Sequence, residues 1–575
     1  MTRPTRPFKP YPFEPRRYPA RVPPLVDGRE PLEHAVAIVG GGLVGMTLAL
    51  ALARQRVRSV LIEADDSVCT GSRAICISRR SLEIFKRLGI VDGFLDKGLA
   101  WTGGRSFYRD TEVFRFAMHQ DDEQSLPPMI NIAQYQIEQL LLDEIERHAD
   151  LIDVRWQTRV TAIEQRPQGG ATLTLRRADA DGASWKMDAA WVVACDGGRS
   201  TIRELLGLKL TGTTYEGRYV IVDIELDSSR ATERLAYFDP PSNPGSTVLV
   251  HKQPDNVWRI DYQLRDDEDA DAAVLPENVM PRVQSVLDSM GETGAWSPIW
   301  ITIYKANALT LEHYRHRAVL FAGDAAHLVP IFGVRGANSG IDDADNLGWK
   351  LACVIAGTAS PALLDSYSDE RVYAARENLS YGMKSTEFMA PPTFAFDLLR
   401  SAVLGLAERH AAVRPLINPR QTHAIAYRQS PLNHAAAASG EFGGGPAPGT
   451  VLPECRLLRA TDAGAGTGIH LTDLLAPCFT ALRFSADHTA DETWRQLQDT
   501  LAGKGIAFSI VDIVANDAPR ANGPQTIDQS GRLHDMLDAR PGTVYLIRPD
   551  GHVLARWRNG NAAAVRDALD ATLTI

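Results

Sequence analysis

Val36-Ala37-Ile38-Val39-Gly40-Gly41-Gly42-Leu43-Val44-Gly45 is the stretch that decides the fold. Its four leading apolar residues read as a short buried strand, the glycines as a tight turn, and Leu43 to Arg54 as a helix. A second strand is expected over Ser59–Glu63, so the chain opens as a β-α-β unit. In this GxGxxG pattern Gly40 permits the turn, Gly42 lets a pyrophosphate approach the backbone, and Gly45 lets helix and strand pack closely. Leu43 and Val44 begin the helix, whose N-terminus offers amides and the positive end of a dipole. Glu63, followed by Ala64, closes the second strand eighteen residues after Gly45, where a carboxylate can accept from a ribose diol. A dinucleotide site follows, with FAD and NAD not yet separated.

Composition narrows the classes. A chain of 575 residues predicts two or three domains. The net charge of -10 argues against nucleic-acid binding, which needs a basic face. Six scattered cysteines without a CxxC predict reduced thiols in a cytoplasmic protein, with no disulfide framework and no metal site. Ala35 to Ala53 is an uncharged run long enough to cross a bilayer, but Gly40, Gly41, Gly42 and Gly45 interrupt it, and no membrane span is expected. Met1 to Arg29 is rich in Pro and Arg and lacks an apolar signal core, so it reads as an extended arm on the surface or across a partner subunit.

Further elements follow the same logic. A helix over Ser81–Leu88 stops at Gly89, Gln134–Arg147 reads as an amphipathic helix, and Trp191–Cys195 as a buried strand. From Tyr215 to Ala306, alternating segments (Tyr219–Leu226, Thr247–His251, Val257–Leu264) predict an inserted antiparallel sheet. A strand over Ala318–Ala322 and a helix over Ser339–Ala356 come next. Phe442–Pro453, rich in Gly and Pro, is the strongest linker signal, and beyond it strands are expected at Thr480–Phe484, Ala507–Val511, Thr543–Ile547 and Val553–Trp557.

Two more motifs accompany the first. In Leu320-Phe321-Ala322-Gly323-Asp324, an acid at a strand end can hold the polyol linker of a flavin. Pro330 and Gly333-Val334-Arg335-Gly336-Ala337-Asn338 follow, and the next helix would aim its N-terminus at a flavin pyrimidine ring, stabilising charge at N1–C2=O on reduction. Asp324 alone would pass for an ordinary loop acid. Cys195-Asp196-Gly197-Gly198-Arg199-Ser200-Thr201-Ile202-Arg203 is a strand end, an Asp-Gly turn and a helix start, suited to bracing a cofactor or admitting a nicotinamide donor. A plain capped turn is the simpler reading.

In this ordered company, residues from about Ala35 to Arg376 resemble the class A flavoprotein monooxygenases, the family of para-hydroxybenzoate hydroxylase, phenol hydroxylase and 3-(3-hydroxyphenyl)propionate hydroxylase. The resemblance implies one FAD, NAD(P)H as electron donor, and O2 delivered through a flavin C4a-hydroperoxide to a phenolic ring. It places Glu63 on the adenosine ribose, Arg73 near the pyrophosphate, Gln134 near the adenosine–ribityl region and Asp324 on the ribityl chain. Amides of Gly336, Ala337 and Asn338 would meet the pyrimidine ring, with Asp196, Gly197 and Arg203 matching the Asp-Gly motif.

Many relatives read Pro-Pro-x-Gly-Gly-Gln-Gly where this chain has Pro330-Ile331-Phe332-Gly333-Val334-Arg335-Gly336. Ile331 and Phe332 are expected near the flavin, shaping the aromatic pocket, and Arg335 adds a fixed charge that favours reduced flavin or attracts the nicotinamide phosphate. The segment after the linker resembles the thioredoxin-like domain of phenol hydroxylase relatives, carried by Leu546-Ile547-Arg548-Pro549-Asp550-Gly551, with no CxxC for redox work. The implied fold class is α/β. A Rossmann-like FAD-binding domain (34–214 and 307–440) would carry an inserted antiparallel substrate domain (215–306). The arm (1–33) would precede it, and the linker (441–453) and thioredoxin-like domain (454–575) would follow.

Candidate substrate residues come from the inserted sheet: Tyr237, His251, Arg259, Asp261 and Tyr262. His251 or Tyr262 is expected to relay a phenolic proton and Arg259 to hold a carboxylate. The partners expected are a small aromatic substrate, O2 and a second copy in a homodimer. Epoxidation, Baeyer–Villiger oxidation or oxidation of a larger polycyclic substrate would use the same fold, and a non-catalytic binding protein is the reading from another class.

Overall fold

In the computed structural model, residues 7–179, 182, 184–265, 267–418, 421–434, 442–460, 466–486, 491–517 and 525–574 are described. The opening strand, His34–Val39, lies between two parallel neighbours, Ser59–Ile62 and Trp185–Ala194. Ile152–Arg155 extends the sheet on one side and Val319–Phe321 on the other, both parallel to their neighbours. Strands buried on both faces are apolar throughout, which is why these segments read as continuous hydrophobic runs. Val39 is in register with Ala194, and Ala194 with Phe321. The three motif turns therefore leave one edge of one sheet side by side.

The helix Leu43–Arg54 covers this sheet and packs on a second helix, Gly336–Ile355. The approach is close: a Cβ on Gly340 would stand 2.5 Å from Val44 Cγ2. The second helix begins three residues earlier than expected, at Gly336 instead of Ser339, with Arg335 accepting from the Ser339 amide at 2.8 Å. Gly and Asn are poor helix formers, so the sequence pattern hides this first turn.

A second sheet of eight strands faces the first. Its order is His327–Leu328, Trp296–Thr310, Thr211–Leu226, Val257–Gln263, Thr247–Lys252, Arg234–Phe238, Gly103–Tyr108 and Thr111–Ala117. It is wider than the stretch expected from alternation, because Gly103–Tyr108 joins Arg234–Phe238 in parallel from far upstream. Such a long-range parallel pairing leaves no local turn signal. Side chains alternate across the sheet. Val220, Val222, Val248, Val250, Trp258 and Ile260 pack with Val279, Val283 and Leu287 of the helix Pro276–Met290, and the other face looks toward the first sheet.

The C-terminal sheet has seven strands, in the order Gly466–His470, Arg456–Ala460, Gln525–Asp528, Phe508–Ala515, Phe479–Ser485, Val544–Ile547 and Val553–Trp557. Trp349 and Leu363 from the flanking helices join its core with Phe479, Trp494 and Leu569. The glycine-rich stretch before it is docked: the Gly443 and Gly444 amides donate to Asp538 Oδ2 at 2.8 and 3.1 Å. Phe442 lies under the Arg556 and Arg558 guanidinium groups, 4.3 and 4.0 Å from its ring centroid. The described part of the N-terminal arm lies along the chain itself, with Tyr18 stacked on Trp156 and Tyr11 donating to Asp223 at 2.6 Å. Among the described residues, no helix is long and apolar enough to cross a membrane.

Candidate active site

The three turns close the upper wall of one cavity. At Gly40 the backbone takes φ +107, and a Cβ there would stand 2.4 Å from the Cys195 carbonyl oxygen. A Cβ on Gly45 would stand 2.0 Å from the Gly40 carbonyl oxygen, so helix and strand fit only without one. The cavity has a volume of about 320 Å³ and is lined from above by Gly42, Leu43, Val44, Gly197 and Asp324, with Arg73 and Gln134 beside them. Pro330, Ile331 and the run from Gly333 to Asn338 also line it. A second cavity, about 460 Å³, is lined by Glu312, Asp369, Arg376 and Tyr427 and contains none of the motif residues.

Asp324 opens onto the cavity while protein surrounds its other sides, and that burial pushes its carboxyl above the ordinary range. Among the described residues its carboxylate has no hydrogen-bond partner, leaving both oxygens for a ligand. Its turn is held from behind by Asp343, which accepts from the Gly323 amide (2.8 Å), from His327 Nε2 (2.7 Å) and from Arg371 Nε (2.6 Å). Burial works against the Asp343 charge, but Arg371 and His327 outweigh it and hold the carboxyl below its usual range.

Arg73 and Gln134 are neighbours, since the Gln134 side-chain oxygen accepts from the Arg73 amide at 3.3 Å and the Ala74 amide at 3.2 Å. Glu63 sits at the end of its strand and accepts from the Gly41 amide (2.6 Å) and the Asp65 amide (2.8 Å), outside the cavity lining, with Ala64 next to it. Asn338 uses its whole side chain on protein, donating to the Val334 carbonyl and accepting from the Ser78 amide and Ser81 hydroxyl. Only the backbone amides of this first helical turn are left to face a ligand.

Asp196 and Arg203, expected beside the cofactor, spend their side chains on protein. Asp196 accepts from the Ser200 hydroxyl and the Ile202 amide, capping the short helix Thr201–Leu205. Arg203 donates to the Ala325 carbonyl (3.0 Å) and the Gly198 carbonyl (2.6 Å). Neither lines the cavity. They tie the Asp-Gly and Gly-Asp turns together and so position the residues that do.

The cavity floor is the inner face of the eight-stranded sheet. His251 is opposite Arg259, and Arg259 opposite Asp223; one step along, Leu249 is opposite Asp261 and Asp261 opposite Ile221. His251, Arg259, Asp261, Leu249 and Ile221 all line the cavity, as do Tyr304 and Arg234. Tyr262 and Tyr237 do not. They sit on the outer face, Tyr262 beneath Arg282 and Tyr237 stacked on Phe107, because strand alternation turns them away from Asp261 and Ala236. Phe332 likewise leaves the cavity, packing edge-on against Tyr219 in the core behind it, while its neighbour Ile331 lines the wall.

The charged residues differ in how they are satisfied. Arg259 donates to Asp223 at 2.7 and 2.8 Å and to the carbonyls of Ser72 and Arg73. Burial opposes its charge, but Asp223 outweighs burial and holds the guanidinium above its ordinary range. With four of its five N–H donors on Asp223 and the Ser72 and Arg73 carbonyls, Arg259 braces the sheet against the upper wall. His251 is buried and neutral: desolvation, then Arg234 and Arg259, pull it down to about 3. Arg335, 1% exposed, donates to the Gly333 carbonyl at 3.4 Å and lies 5.6 Å from the Tyr381 ring centroid. Its neighbour Val334 has φ +52, a left-handed conformation that a β-branched residue rarely adopts.

Sequence reasoning missed Arg234, Tyr304, Leu249 and Ile221. Alternation would have placed Arg259 and Asp261 together and Tyr262 opposite, but the register that adds Arg234 exists only once strands are paired. The fit to a flavin dinucleotide is good: a glycine turn without room for a Cβ, an unpartnered acid at the next turn, and a helix N-terminus aimed between them.

The profile of the FAD binding domain family matches residues 33–380. Over 528 residues the chain is 27% identical to the 3-(3-hydroxy-phenyl)propionate/3-hydroxycinnamic acid hydroxylase of Mycolicibacterium smegmatis, covering 90% of this chain and 89% of that protein. It is 30% identical over 583 residues to the 6-methylpretetramide 4-monooxygenase of Streptomyces rimosus, covering 96% and 94%. The flavin-dependent monooxygenase PieE, solved with FAD and substrate, has the same fold at a TM-score of 0.78 and 23% identity, covering 94% of this chain and 99% of that one. The fold and cavity define a flavoprotein. The chain belongs to the FAD binding domain family, and it is an FAD-dependent monooxygenase of the aromatic-hydroxylase class.

Proposed function

We propose that the protein uses NAD(P)H and O2 to hydroxylate a phenolic substrate held between the flavin wall and the sheet floor. The observation that carries this reading is the single cavity in which Asp324 and the Gly336 helix start stand opposite His251, Asp261 and Ile221. When bound, FAD supplies the redox chemistry between NAD(P)H and O2. Asp324 would hold the ribityl hydroxyls, Glu63, Arg73 and Gln134 the adenosine and pyrophosphate end, and the amides of Gly336, Ala337 and Asn338 the pyrimidine ring. His251, neutral and with Nδ1 lacking a partner, is suited to accept a hydrogen bond from the substrate's phenolic hydroxyl. Ile221, Leu249, Ile331 and Tyr304 keep water from the ring.

The C-terminal unit we read as thioredoxin-like. The reading is supported by Phe479–Ser485 between its parallel neighbour Phe508–Ala515 and the antiparallel Val544–Ile547, with Val553–Trp557 outside. The domain boundaries given from sequence belong to the same proposal, with 103–117 added to the substrate sheet. Six free cysteines agree with a cytoplasmic setting. Exposed Phe394, Leu398, Leu399 and Leu416 offer an apolar face for the homodimer, which light scattering would test.

The deciding experiment is NAD(P)H oxidation by the flavin-loaded protein across a panel of phenols, with products identified by mass. Substrate-stimulated oxidation with a product one oxygen heavier is expected; neither appearing with any phenol would overturn the reading. The relative named a 6-methylpretetramide monooxygenase favours a second reading, in which the substrate resembles 6-methylpretetramide. The same assay with such a substrate separates the two.

A further inference from the structure

The N-terminal arm crosses from one sheet to the other. Tyr11 meets the ring of Tyr135 at 5.0 Å and that of Trp300 at 6.5 Å, and Phe13 stacks on Tyr135 at 4.7 Å. To one side of these rings the Lys9 amide donates to the Pro298 carbonyl (2.9 Å) on the eight-stranded substrate sheet. To the other, the Tyr18 amide donates to the Asp66 carbonyl (2.8 Å), and Gln157 donates to the Tyr18 carbonyl at 2.7 Å. Residues 9–18 therefore tie the substrate sheet to the end of the first sheet that carries Glu63. The arm precedes residues 33–380, which carry the family match.

Beneath the arm runs a chain of hydrogen bonds with one destination. Tyr11 donates to Asp223 Oδ2 at 2.6 Å. Burial, and then Asp223, push the Tyr11 hydroxyl above its ordinary range, so it stays a donor. Asp223 is 1% exposed and has one further partner among the described residues, Arg259, which grips both its oxygens. Arg259 in turn donates to the carbonyls of Ser72 and Arg73. Gln134 holds the same loop from its far side. Its amide donates to the Ser72 hydroxyl at 2.9 Å, and its side-chain oxygen accepts from the Arg73 and Ala74 amides. Trp300 closes over the loop, and a Cβ on Gly71 would stand 3.1 Å from its ring.

A guanidinium reaches two loop carbonyls only while its carboxylate partner keeps it aimed, and a buried carboxylate is fixed by the donors around it. For Asp223 the donor that Arg259 does not supply is the Tyr11 hydroxyl.

We infer that Tyr11 is a positioning residue for FAD: through Asp223 and Arg259, the arm fixes the loop that carries Arg73 and slows release of the dinucleotide. The inference rests on the reading of Arg73 and Gln134 as contacts of the adenosine and pyrophosphate end.

The test follows FAD release from the holoenzyme on dilution, by the fluorescence of the freed flavin, and the dissociation constant on rebinding. The melting temperature of the flavin-free protein is a separate readout. Tyr11→Phe, which keeps the ring and removes the hydroxyl, is expected to speed release and raise the dissociation constant about tenfold, with flavin-free melting as in the wild type. Tyr18→Phe removes the other phenolic bond of the arm, to Glu146 at the surface, and is expected to stay within about twofold. Arg73→Met is expected to weaken FAD by about tenfold or more. In an Arg259→Lys background, where the route is already broken, Tyr11→Phe is expected to add less than about twofold. Wild-type retention in Tyr11→Phe, with Arg73→Met weakened, would overturn the inference and leave the loop reading standing. Equal losses in Tyr11→Phe and Tyr18→Phe, a lowered flavin-free melting temperature in Tyr11→Phe, or full additivity with Arg259→Lys would also overturn it. Unchanged affinity in Arg73→Met would overturn the loop as a cofactor contact, and the inference with it. If Arg259→Lys does not fold, the two tyrosine variants decide the matter.

Discussion

Arg548, at the end of a C-terminal strand, donates to both oxygens of Glu370 on the long helix Leu363–Met389, at 2.6 and 2.9 Å, and neither residue is reached by solvent. Lys350 donates to the same carboxylate at 2.7 Å, and Asp550 accepts from Trp349 Nε1 at 3.1 Å and from Arg548. Two cations and two anions therefore balance in a closed cluster at the seam between the C-terminal sheet and the flavin-side helices. Lys350 and Trp349 belong to the helix whose other end, Gly336, lines the cavity.

Removing one member of that cluster strands the rest. Arg548→Met is expected to cost about 3–5 kcal/mol in chemical denaturation, because it leaves buried carboxylates short of a partner. Burial alone would raise the Glu370 carboxyl, but Arg548 and Lys350 hold it well below the usual carboxylate range. Its contribution is thus complete above the ordinary carboxylate pKa of about 4 and is lost as pH falls below it. The acid limb of the stability profile should flatten in Glu370→Gln.

Gly45→Ala tests the turn. Its methyl would stand 2.0 Å from the Gly40 carbonyl oxygen, a backbone atom that cannot move without opening the glycine turn. Purified Gly45→Ala is expected to lose most of its flavin absorbance.

Val334 carries backbone strain. Its φ of +52 is open to glycine without steric penalty. Val334→Gly is expected to stabilise the fold by about 1 kcal/mol, the relief of a left-handed β-branched residue exceeding the added freedom of the unfolded chain. Equilibrium denaturation measures it.

Asp261 should give folding stability a pH dependence. Burial pushes its carboxyl up to about 7, with Arg259 and Arg234 pulling down and Asp223 pushing up; neutral His251 completes its surroundings. As a raised carboxyl it disfavours ionisation in the folded state, so its contribution to stability falls as pH rises from about 4 to 7. Unfolding free energy is therefore expected to decline between about pH 4 and 7, and Asp261→Asn to remove that part of the decline. Tyr262→Phe, on the opposite face, is expected to leave the pH profile unchanged.

What could be read beforehand depended on how local its cause was. Leu43–Arg54 and Gln134–Arg147 have the expected limits, because helical periodicity is written in consecutive residues. The three motifs were visible for the same reason, each being a strand end and its turn. Their meeting at one sheet edge required pairing between residues more than a hundred positions apart. Tyr237 and Tyr262 have suitable chemistry, but strand alternation turns them to the other face, and Arg234 leaves no sequence signal because its level with His251 is a matter of register. The Arg548–Glu370 pair spans 178 positions and leaves no pattern in either neighbourhood.

The two faces of the eight-stranded sheet are under different pressures to change. Trp258, Ile260 and Tyr262 belong to a core that the helix Pro276–Met290 fills, and substitution there disturbs folding. Leu249, His251 and Asp261, on the other parity, look into the cavity. A lineage can therefore exchange one ring substrate for another by altering every second residue of a few strands, while the residues between hold the sheet in place.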